Sequence, residues 1–211
     1  KVERLPELAV ELVRLNVDLI VTAGTPGSRA AKQATTTIPI VMAASGDAVA
    51  MGLIASLARP GGNITGSTFF QPQLMGKRME LLRDAMPRIK QIAFLFNRDN
   101  PAATGAAVEA VEIAAKLLKL SIQQFGVREP NDFDGAFSAM ANRRVDAMVT
   151  GDDGLIVLNA KRIADLAAKH RLPSAGSTEL AEAGGLVAYG VNIPELYRRA
   201  AYFADRILKG A

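Results

Sequence analysis

Apolar runs alternate with amphipathic stretches along the whole chain. In "LPELAVELVRL" the residues Leu5, Leu8 and Leu12 recur at helical intervals, and the continuous apolar run "VDLIVTA" follows. Spacing by three and four residues predicts a helix, whereas a short apolar run bounded by turns predicts a buried strand. The next segments, "SRAAKQAT", "IPIVMAA", "DAVAMGLIASLA" and "ITGSTF", predict helix, strand, helix and strand. Buried strands that alternate with helices indicate parallel β-α-β units.

The second half of the chain repeats this plan. A helix is predicted by apolar residues that step by three and four, namely Leu74 or Met75, Met79, Leu82 and Met86. The strands that follow are "QIAFLF", "LSIQQFGV", "VDAMVTGDD", "LPSAG" and "LVAYGV". A single sheet would need about eight strands in register, which exceeds the usual sheet size. We therefore expect an α/β fold of two Rossmann-like lobes, with parallel sheets flanked by helices. Lobe 1 comprises residues 1–68, joined by the helix of 190–211, and lobe 2 comprises residues 69–189.

Composition excludes several classes of site and partner. The 211 residues contain no cysteine, which removes disulfides, thiolate metal sites and cysteine nucleophiles. The net charge is only +4, and no aromatic residues interleave with the scattered basic ones. We interpret those basic residues as solvated faces and expect no nucleic-acid partner. They are Arg78, Arg83, Arg88, Lys90, Arg143, Arg144, Arg198 and Arg199. No apolar run approaches the ~18 residues of a membrane span.

The common catalytic signatures are missing from the sequence. The single histidine, His170, ends a predicted helix, where a cation near the helix C-terminus is its ordinary role. The loop "GTPGSRA" lacks the Lys-Ser/Thr pair of a phosphate-binding P-loop and the three-glycine dinucleotide spacing. No G-x-S-x-G motif occurs. We therefore predict that the chain is not an enzyme and has no catalytic residues, cofactor or metal site.

Polar residues nevertheless follow the predicted strands. The loop at Gly24 opens a helix, whose free N–H groups and dipole favour an anionic group such as a carboxylate. Thr25 and Ser28 in this loop are also ordinary helix N-caps, and Asp47 is likewise a cap for the segment after it. The pair at 152–153 is suited to an ammonium group or a metal, but also to a capped turn. Open α/β sheets bind ligands at the carboxyl ends of their strands, which favours a binding role.

Several segments resemble a known family. "ERLPELAVELVRLNVDLIVTAGTPGSRAAKQATTTIPIVMAASGDAV", "SLARPGGNITG", "GKRMELLRDAMPRI", "ADLAAKHRLPS", "EAGGLVAYG" and "RILKGA" are similar to the substrate-binding proteins of a group of ABC importers. Some members of that group take aromatic amino acids. The "SLARPGGNITG" and "EAGGLVAYG" blocks are the most specific, and the similarity runs through essentially the whole chain.

The resemblance implies a type I periplasmic-binding fold, in which two lobes joined by three crossings close on a ligand held between them. It also implies an ABC permease and an ATPase as partners, and a location in the periplasm or at the outer face of the cytoplasmic membrane. The expected ligand is a small polar molecule, an amino acid or similar. Carried over loop by loop, the ligand-binding residues are Ala23, Gly24, Thr25, Ser45, Asp47, Ser67 and Thr68 in lobe 1, and Asn97, Asp152, Ser177 and Tyr189 in lobe 2.

The chain departs from the family pattern at both ends. Family members begin with an export signal and a β-α-β segment that belongs to lobe 1, and they continue past "ILKGA" with a further crossing into lobe 2. We therefore expect lobe 1 to be incomplete, with an open edge next to its central strand. Either this edge pairs with another copy of the chain, or ligand affinity is impaired, or both.

Two other functions fit the same fold. An effector-binding domain of a transcriptional regulator is the first alternative, and a helix-turn-helix upstream of the chain would distinguish it. An enzyme that uses Asp152 and Asp153 for acid-base or metal chemistry is the second.

Overall fold

The computed structural model of the protein describes residues 2–69 and 71–210. The chain divides into two compact units. The first comprises Lys1–Phe70 together with Asn192–Ala211, and the second comprises Gln71–Val191. Among the helices that the structure describes, none combines the length and apolar character needed to span a membrane.

The first unit is built on a parallel sheet with the order β1-β2-β3. Ile20, Ile40 and Ile64 are aligned across the three strands and are all buried. Every residue of the middle strand is buried, in keeping with its apolar sequence from Ile40 to Ala44. The strands are β1 (Ile20–Ala23), β2 (Ile40–Ser45) and β3 (Ile64–Thr68); the helices are α1 (Leu5–Arg14), α2 (Gly24–Ala34) and α9 (Ile193–Leu208), and a 3₁₀ turn covers Val2–Arg4.

The helix predicted for residues 47–58 is wrong, because this segment forms successive turns. Gly52 has a φ of +66°, which reverses the backbone direction. The Lys32 ammonium donates hydrogen bonds to the carbonyls of Gly52 and Leu53, and Leu53 and Ile54 are buried in the core. Tertiary contacts therefore satisfy backbone groups that a helix would have satisfied locally.

The second unit contains a parallel sheet with the order β5-β4-β6-β7-β8. Its strands are β4 (Gln91–Asn97), β5 (Ser121–Val127), β6 (Ala147–Thr150), β7 (Ser174–Gly176) and β8 (Val187–Ala188). Its helices are α3 (Gln71–Ala85), α4 (Pro101–Leu118), α5 (Asp132–Asn142), α6 (Gly154–Leu158), α7 (Ala160–Lys169) and α8 (Thr178–Glu182).

Hydrophobic clusters cover both faces of this second sheet. Phe94 joins a cluster with residues of α3 and α4, while its neighbour Leu95 joins a cluster with residues of α5 and α7. Successive residues of a strand point to opposite faces, so a strand buried on both faces must be apolar at every position. The parallel sheets with flanking helices confirm the predicted α/β fold class.

Candidate functional site

The predicted ligand-binding residues of the first unit lie where β1, β2 and β3 end. Parallel strands place their carboxyl ends at one edge of the sheet, and hydrogen bonds join the loops there. The hydroxyls of Thr25 and Ser45 share a hydrogen bond of 3.3 Å, and the Gly46 N–H donates to Thr25 Oγ1. Thr68 Oγ1 donates to the Gly46 carbonyl at 2.9 Å and accepts from the Ala48 N–H. The three strand ends thus form one hydrogen-bonded edge.

The hydroxyls of Thr25 and Ser28 do not cap helix α2, contrary to the alternative interpretation of the sequence. Gly24, with a φ of +76°, starts the helix directly after β1, so both residues lie inside the helix and are buried. Ser28 Oγ donates to the Gly24 carbonyl at 3.1 Å and shares a hydrogen bond of 2.8 Å with Thr22. Among the residues that the structure describes, no side chain caps α2, and the first-turn N–H groups of the helix have no acceptor within it.

Other predicted residues at this edge differ in how accessible they are. Ala23 is exposed, Asp47 is half-buried and Ser45 is fully buried. Asp47 Oδ1 accepts the N–H groups of Val49 and Ala50, so the carboxylate caps a turn instead of the expected helix. Ser67 Oγ is buried and has no hydrogen-bond partner among the described residues. The accessible groups at this edge include the backbone at the start of α2 and the Asp47 carboxylate.

In the second unit, Asn97 and Asp153 form a compact polar cluster. Asn97 Nδ2 donates to Asp153 Oδ1 at 2.7 Å, and Asn100 Nδ2 donates to Asp153 Oδ2 at 2.9 Å. Asp153 Oδ1 also accepts the Leu155 N–H and thereby caps α6. The capped-turn interpretation therefore describes Asp153, whose two carboxylate oxygens both accept hydrogen bonds within the unit.

Asp152 makes a buried ion pair with Arg78, a residue that the sequence analysis wrongly assigned to a solvated face. The Arg78 side chain is 0% exposed, and its Nη2 lies 2.9 Å from Asp152 Oδ1. Arg78 Nη1 donates to the Thr150 carbonyl at 2.9 Å, and Nε donates to the Tyr189 carbonyl at 2.7 Å. One guanidinium thus joins three points at the carboxyl ends of β6 and β8.

A signal for this burial was present in the sequence. Arg78 follows Met75 by three positions and precedes Leu82 by four, so all three residues share one face of α3. Met75 and Leu82 are fully buried. An arginine on the apolar stripe of a helix requires a buried partner, and the acidic pair after β6 supplied a candidate.

The electrostatics of Asp152 follow from this position. Burial raises the pKa of Asp152, the nearby Glu179 carboxylate adds to the rise, and the Arg78 guanidinium acts in the opposite direction. Glu179 Oε2 is buried without a hydrogen-bond partner among the described residues. A ligand ammonium group at this position would have to share Asp152 with Arg78.

Ser177 and Tyr189 follow the last two strands of the second sheet. Ser177 is half-buried at the start of α8, and its carbonyl accepts the N–H groups of Leu180 and Ala181. Tyr189 is 43% exposed, and its N–H donates to the Gly176 carbonyl. The Tyr189 side chain is therefore accessible, while its backbone is held by β7 and Arg78.

Other features of the second unit lie apart from these residues. A pocket of about 860 Å³ beside β5 includes Arg98, Gln124 and Arg128, and none of the predicted ligand-binding residues lines it. His170 is the C-terminal cap of α7, where its ring lies 5.9 Å from that of Phe137. Across residues 2–69 and 71–210, no group of three His, Asp or Glu side chains is placed to hold a metal ion.

Residues 2–211 match the family described as "ABC transporter substrate binding protein". The chain belongs to this family. This confirms the resemblance found in the sequence, and it agrees with the prediction of a binding protein rather than an enzyme.

Relatives of known sequence or structure are similar along the whole chain. The "tyrosine-binding protein" of Clostridioides difficile (strain R20291) is 28% identical over 204 residues, covering 96% of this chain and 58% of that protein. The ABC domain crystallised with L-Trp from Streptococcus pneumoniae is 25% identical, with a TM-score of 0.87. A conserved domain protein of Vibrio cholerae is also 25% identical, with a TM-score of 0.88. Each structural match covers 100% of this chain and 70% of the other.

These comparisons give the fold and the general role. The fold is that of the type I periplasmic-binding proteins, as expected. Substrate-binding proteins of ABC transporters bind small molecules for a membrane permease and are extracytoplasmic in general. The chain spans only 58% of the length of its curated relative, so the ligand and the partners of the whole protein are matters for proposal.

Proposed function

We propose that this chain is the solute-binding component of an ABC importer and that its ligand is an aromatic amino acid. It would work in the periplasm or at the outer face of the cytoplasmic membrane and pass its ligand to a permease coupled to an ATPase. The observation that carries the proposal is the family match over residues 2–211, in a fold whose polar loops follow the carboxyl ends of parallel strands.

The first unit provides groups suited to the ligand carboxylate. The first-turn N–H groups of α2 point out of the helix, and the helix dipole places partial positive charge at the same end. Thr25 and Ser45 are buried and Thr68 is half-buried, and the hydrogen bonds of these hydroxyls hold the loops around the start of α2. We therefore assign carboxylate binding to the backbone at Ala23 and Gly24, and ammonium binding to the half-buried Asp47.

The second unit provides groups suited to the aromatic side chain. The Tyr189 ring is accessible and offers a face for stacking, which contributes about 0.5–1.5 kcal/mol beyond area burial. Asn97, Asp152 and Ser177 supply hydrogen-bonding groups at the ends of β4, β6 and β7. A polar substituent on the ligand ring would find its partners among them.

The choice of ligand class rests on the relatives. One is named for tyrosine, and another was crystallised with L-Trp. These ligands belong to those proteins, and they define the first compounds to test with this one.

Binding of L-tryptophan to the full-length protein tests the proposal. Because these 211 residues contain no tryptophan, the fluorescence of the ligand can be followed against tyrosine alone for this part of the chain. L-tyrosine, L-phenylalanine, D-tryptophan, glycine and benzoate complete the series in thermal-shift assays. Stabilisation equals RT ln(1 + [L]/Kd), about 2.7 kcal/mol at a hundredfold excess of ligand over Kd.

The expected result is stabilisation by L-aromatic amino acids and none by glycine. Tyr189→Ala should weaken this binding, whereas Tyr197→Ala, a comparably exposed tyrosine of α9, serves as the matched control. No shift with any aromatic amino acid would refute the ligand class, and a shift with benzoate alone would replace it.

A further inference from the structure

We propose that Arg78 is a positioning residue of the ligand-binding protein, and that the absence of a side chain at Gly190 gives its guanidinium room to act. The group formed by Arg78, Thr150, Asp152 and Tyr189 is called the Arg78 clamp below. The inference rests on the proposed function for its effect on ligand binding. Its effect on the position of Tyr189 can be measured independently of any ligand.

The clamp joins two strand ends that are not neighbours in the sheet. β7 lies between β6 and β8, and the guanidinium reaches from α3 to the Thr150 carbonyl on one side and the Tyr189 carbonyl on the other. Three nitrogens of one rigid planar group donate to three separate acceptors. The relative positions of these strand ends are therefore set by the shape of the guanidinium.

Apart from the hydrogen bond to Arg78, the end of β8 is held by few backbone hydrogen bonds. This strand has only two residues, and its register with β7 consists of two pairs, Ala175 with Val187 and Gly176 with Ala188. Tyr189 then keeps one backbone hydrogen bond, from its N–H to the Gly176 carbonyl. The hydrogen bond of 2.7 Å from Arg78 Nε to the Tyr189 carbonyl is the second one that holds the backbone of this residue.

Gly190 borders the same guanidinium. A Cβ built at Gly190 would lie 3.1 Å from Arg78 Nη2, closer than ordinary van der Waals contact. Gly190 is not among the glycines with positive φ, so alanine meets no backbone strain there. Gly190→Ala therefore disturbs the guanidinium while leaving every charge in place.

The clamp also holds Asp152 in one orientation. The carboxylate is nearly buried, and Nη2 of Arg78 donates to its Oδ1 in a charge-assisted bond. Lysine keeps the positive charge but is a point charge without a planar fork, so it cannot reproduce three bonds directed to separate segments. Arg78→Lys should therefore keep the positive charge but no longer hold the segments of the clamp in their positions.

The experiment measures Tyr189 directly by ¹⁹F NMR of protein labelled with 3-fluorotyrosine. The chain has three tyrosines, and Tyr197 and Tyr202 both lie in α9 of the first unit, where they serve as internal references. Tyr189→Phe assigns the signal. Arg78→Lys and Gly190→Ala should shift or broaden the Tyr189 resonance and leave the other two unchanged.

The same variants are then titrated with L-tryptophan. We expect the Kd for L-tryptophan to rise about tenfold or more, because one of the two hydrogen bonds that hold the Tyr189 backbone is lost or weakened. The matched control is Arg83→Lys, an arginine of the same helix that donates to the Leu118 carbonyl, away from the clamp. This control should leave both the Tyr189 signal and Kd as in the unmodified protein.

Two results separate the failure of this inference from the failure of the proposed function. If the unmodified protein does not bind any aromatic amino acid, the proposed ligand is wrong, and the Tyr189 signal still decides whether Arg78 positions this residue. If folded Arg78→Lys and Gly190→Ala proteins keep the Tyr189 signal and Kd of the unmodified protein, the clamp has no positioning role.

Discussion

Replacing Arg78 by methionine should destabilise the second unit by about 3–5 kcal/mol. The substitution removes three hydrogen bonds and leaves the Asp152 carboxylate nearly buried without its cation. Breaking one partner of a buried pair is expensive because the remaining charge stays desolvated. Since domains are stable by only about 5–15 kcal/mol, this change would remove a large part of the total.

A double-mutant cycle assigns the loss to the ion pair. Asp152→Asn keeps the size of the side chain and an acceptor oxygen, so it should be the milder change. In Arg78→Met/Asp152→Asn both charges of the ion pair are removed, and the double variant should be more stable than the sum of the single effects predicts. The expected coupling is about 1–3 kcal/mol, within the range measured for residues in contact.

The assay is urea unfolding of the full chain, with hydrogen exchange of the β4 amides reporting on the second unit. With a slope of about 1–3 kcal/mol per molar urea, the Arg78→Met midpoint should fall by at least about 1 M. Arg88→Met is the control, because Arg88 follows the end of α3 and is exposed, and surface substitutions usually stay within about 0.5 kcal/mol. Equal effects of the two substitutions, or strict additivity in the cycle, would refute the pairing of Arg78 with Asp152.

Three further predictions concern the core, the backbone and pH. Gly66→Ala should lower the free energy of unfolding by on the order of 3 kcal/mol, because φ is +136° and the new Cβ would lie 2.2 Å from the Met42 carbonyl oxygen. Gly76→Ala, in open space within α3, should instead raise it by about 0.5–1 kcal/mol in the same urea measurement, and equal outcomes would contradict the reasoning. Phe137→Ala should cost about 3–5 kcal/mol by the same measurement, since the ring is 0% exposed, and a loss below about 1 kcal/mol would count against that burial. Because burial raises the pKa of Asp152 from its ordinary 3.8, its contribution to stability is present below that value and is lost as pH rises through the native pKa. Asp152→Asn should therefore flatten the fall in Tm as pH rises above that value, and parallel pH profiles of the two proteins would disprove it.

Much of the architecture could be predicted from hydrophobic patterning alone. "QIAFLF" had to be a strand buried on both faces, and it is β4, with Phe94 and Leu95 packed on opposite sides. The positions of polar loops after strands followed from the same pattern, because parallel strands place their carboxyl ends at one edge. Chain order thus determined which residues meet at each edge, although not which of their atoms remain accessible.

The predictions from sequence that proved wrong have a common physical cause. The segment 47–58 has helical periodicity, but the Lys32 ammonium satisfies its turn carbonyls and the core takes up Leu53. Thr25 resembled a helix cap, yet α2 begins at Gly24, where φ is positive, two residues before the start that a Thr25 cap would give. The Thr25 hydroxyl shares a hydrogen bond with Ser45 instead. In each case a partner distant in the sequence satisfied groups that local patterning assigns to neighbours.

Arg78 shows which features of the protein depend on the sequence alone and which depend on the tertiary structure. The sequence by itself determined the helix, the spacing of its apolar face and the α/β order of the strands, because these depend on local periodicity. The burial of its guanidinium depends on Asp152, 74 positions away, and on the Tyr189 carbonyl, 111 positions away. Only the tertiary structure brings these groups within 3 Å, and an arginine is stable in the interior only when such partners are present.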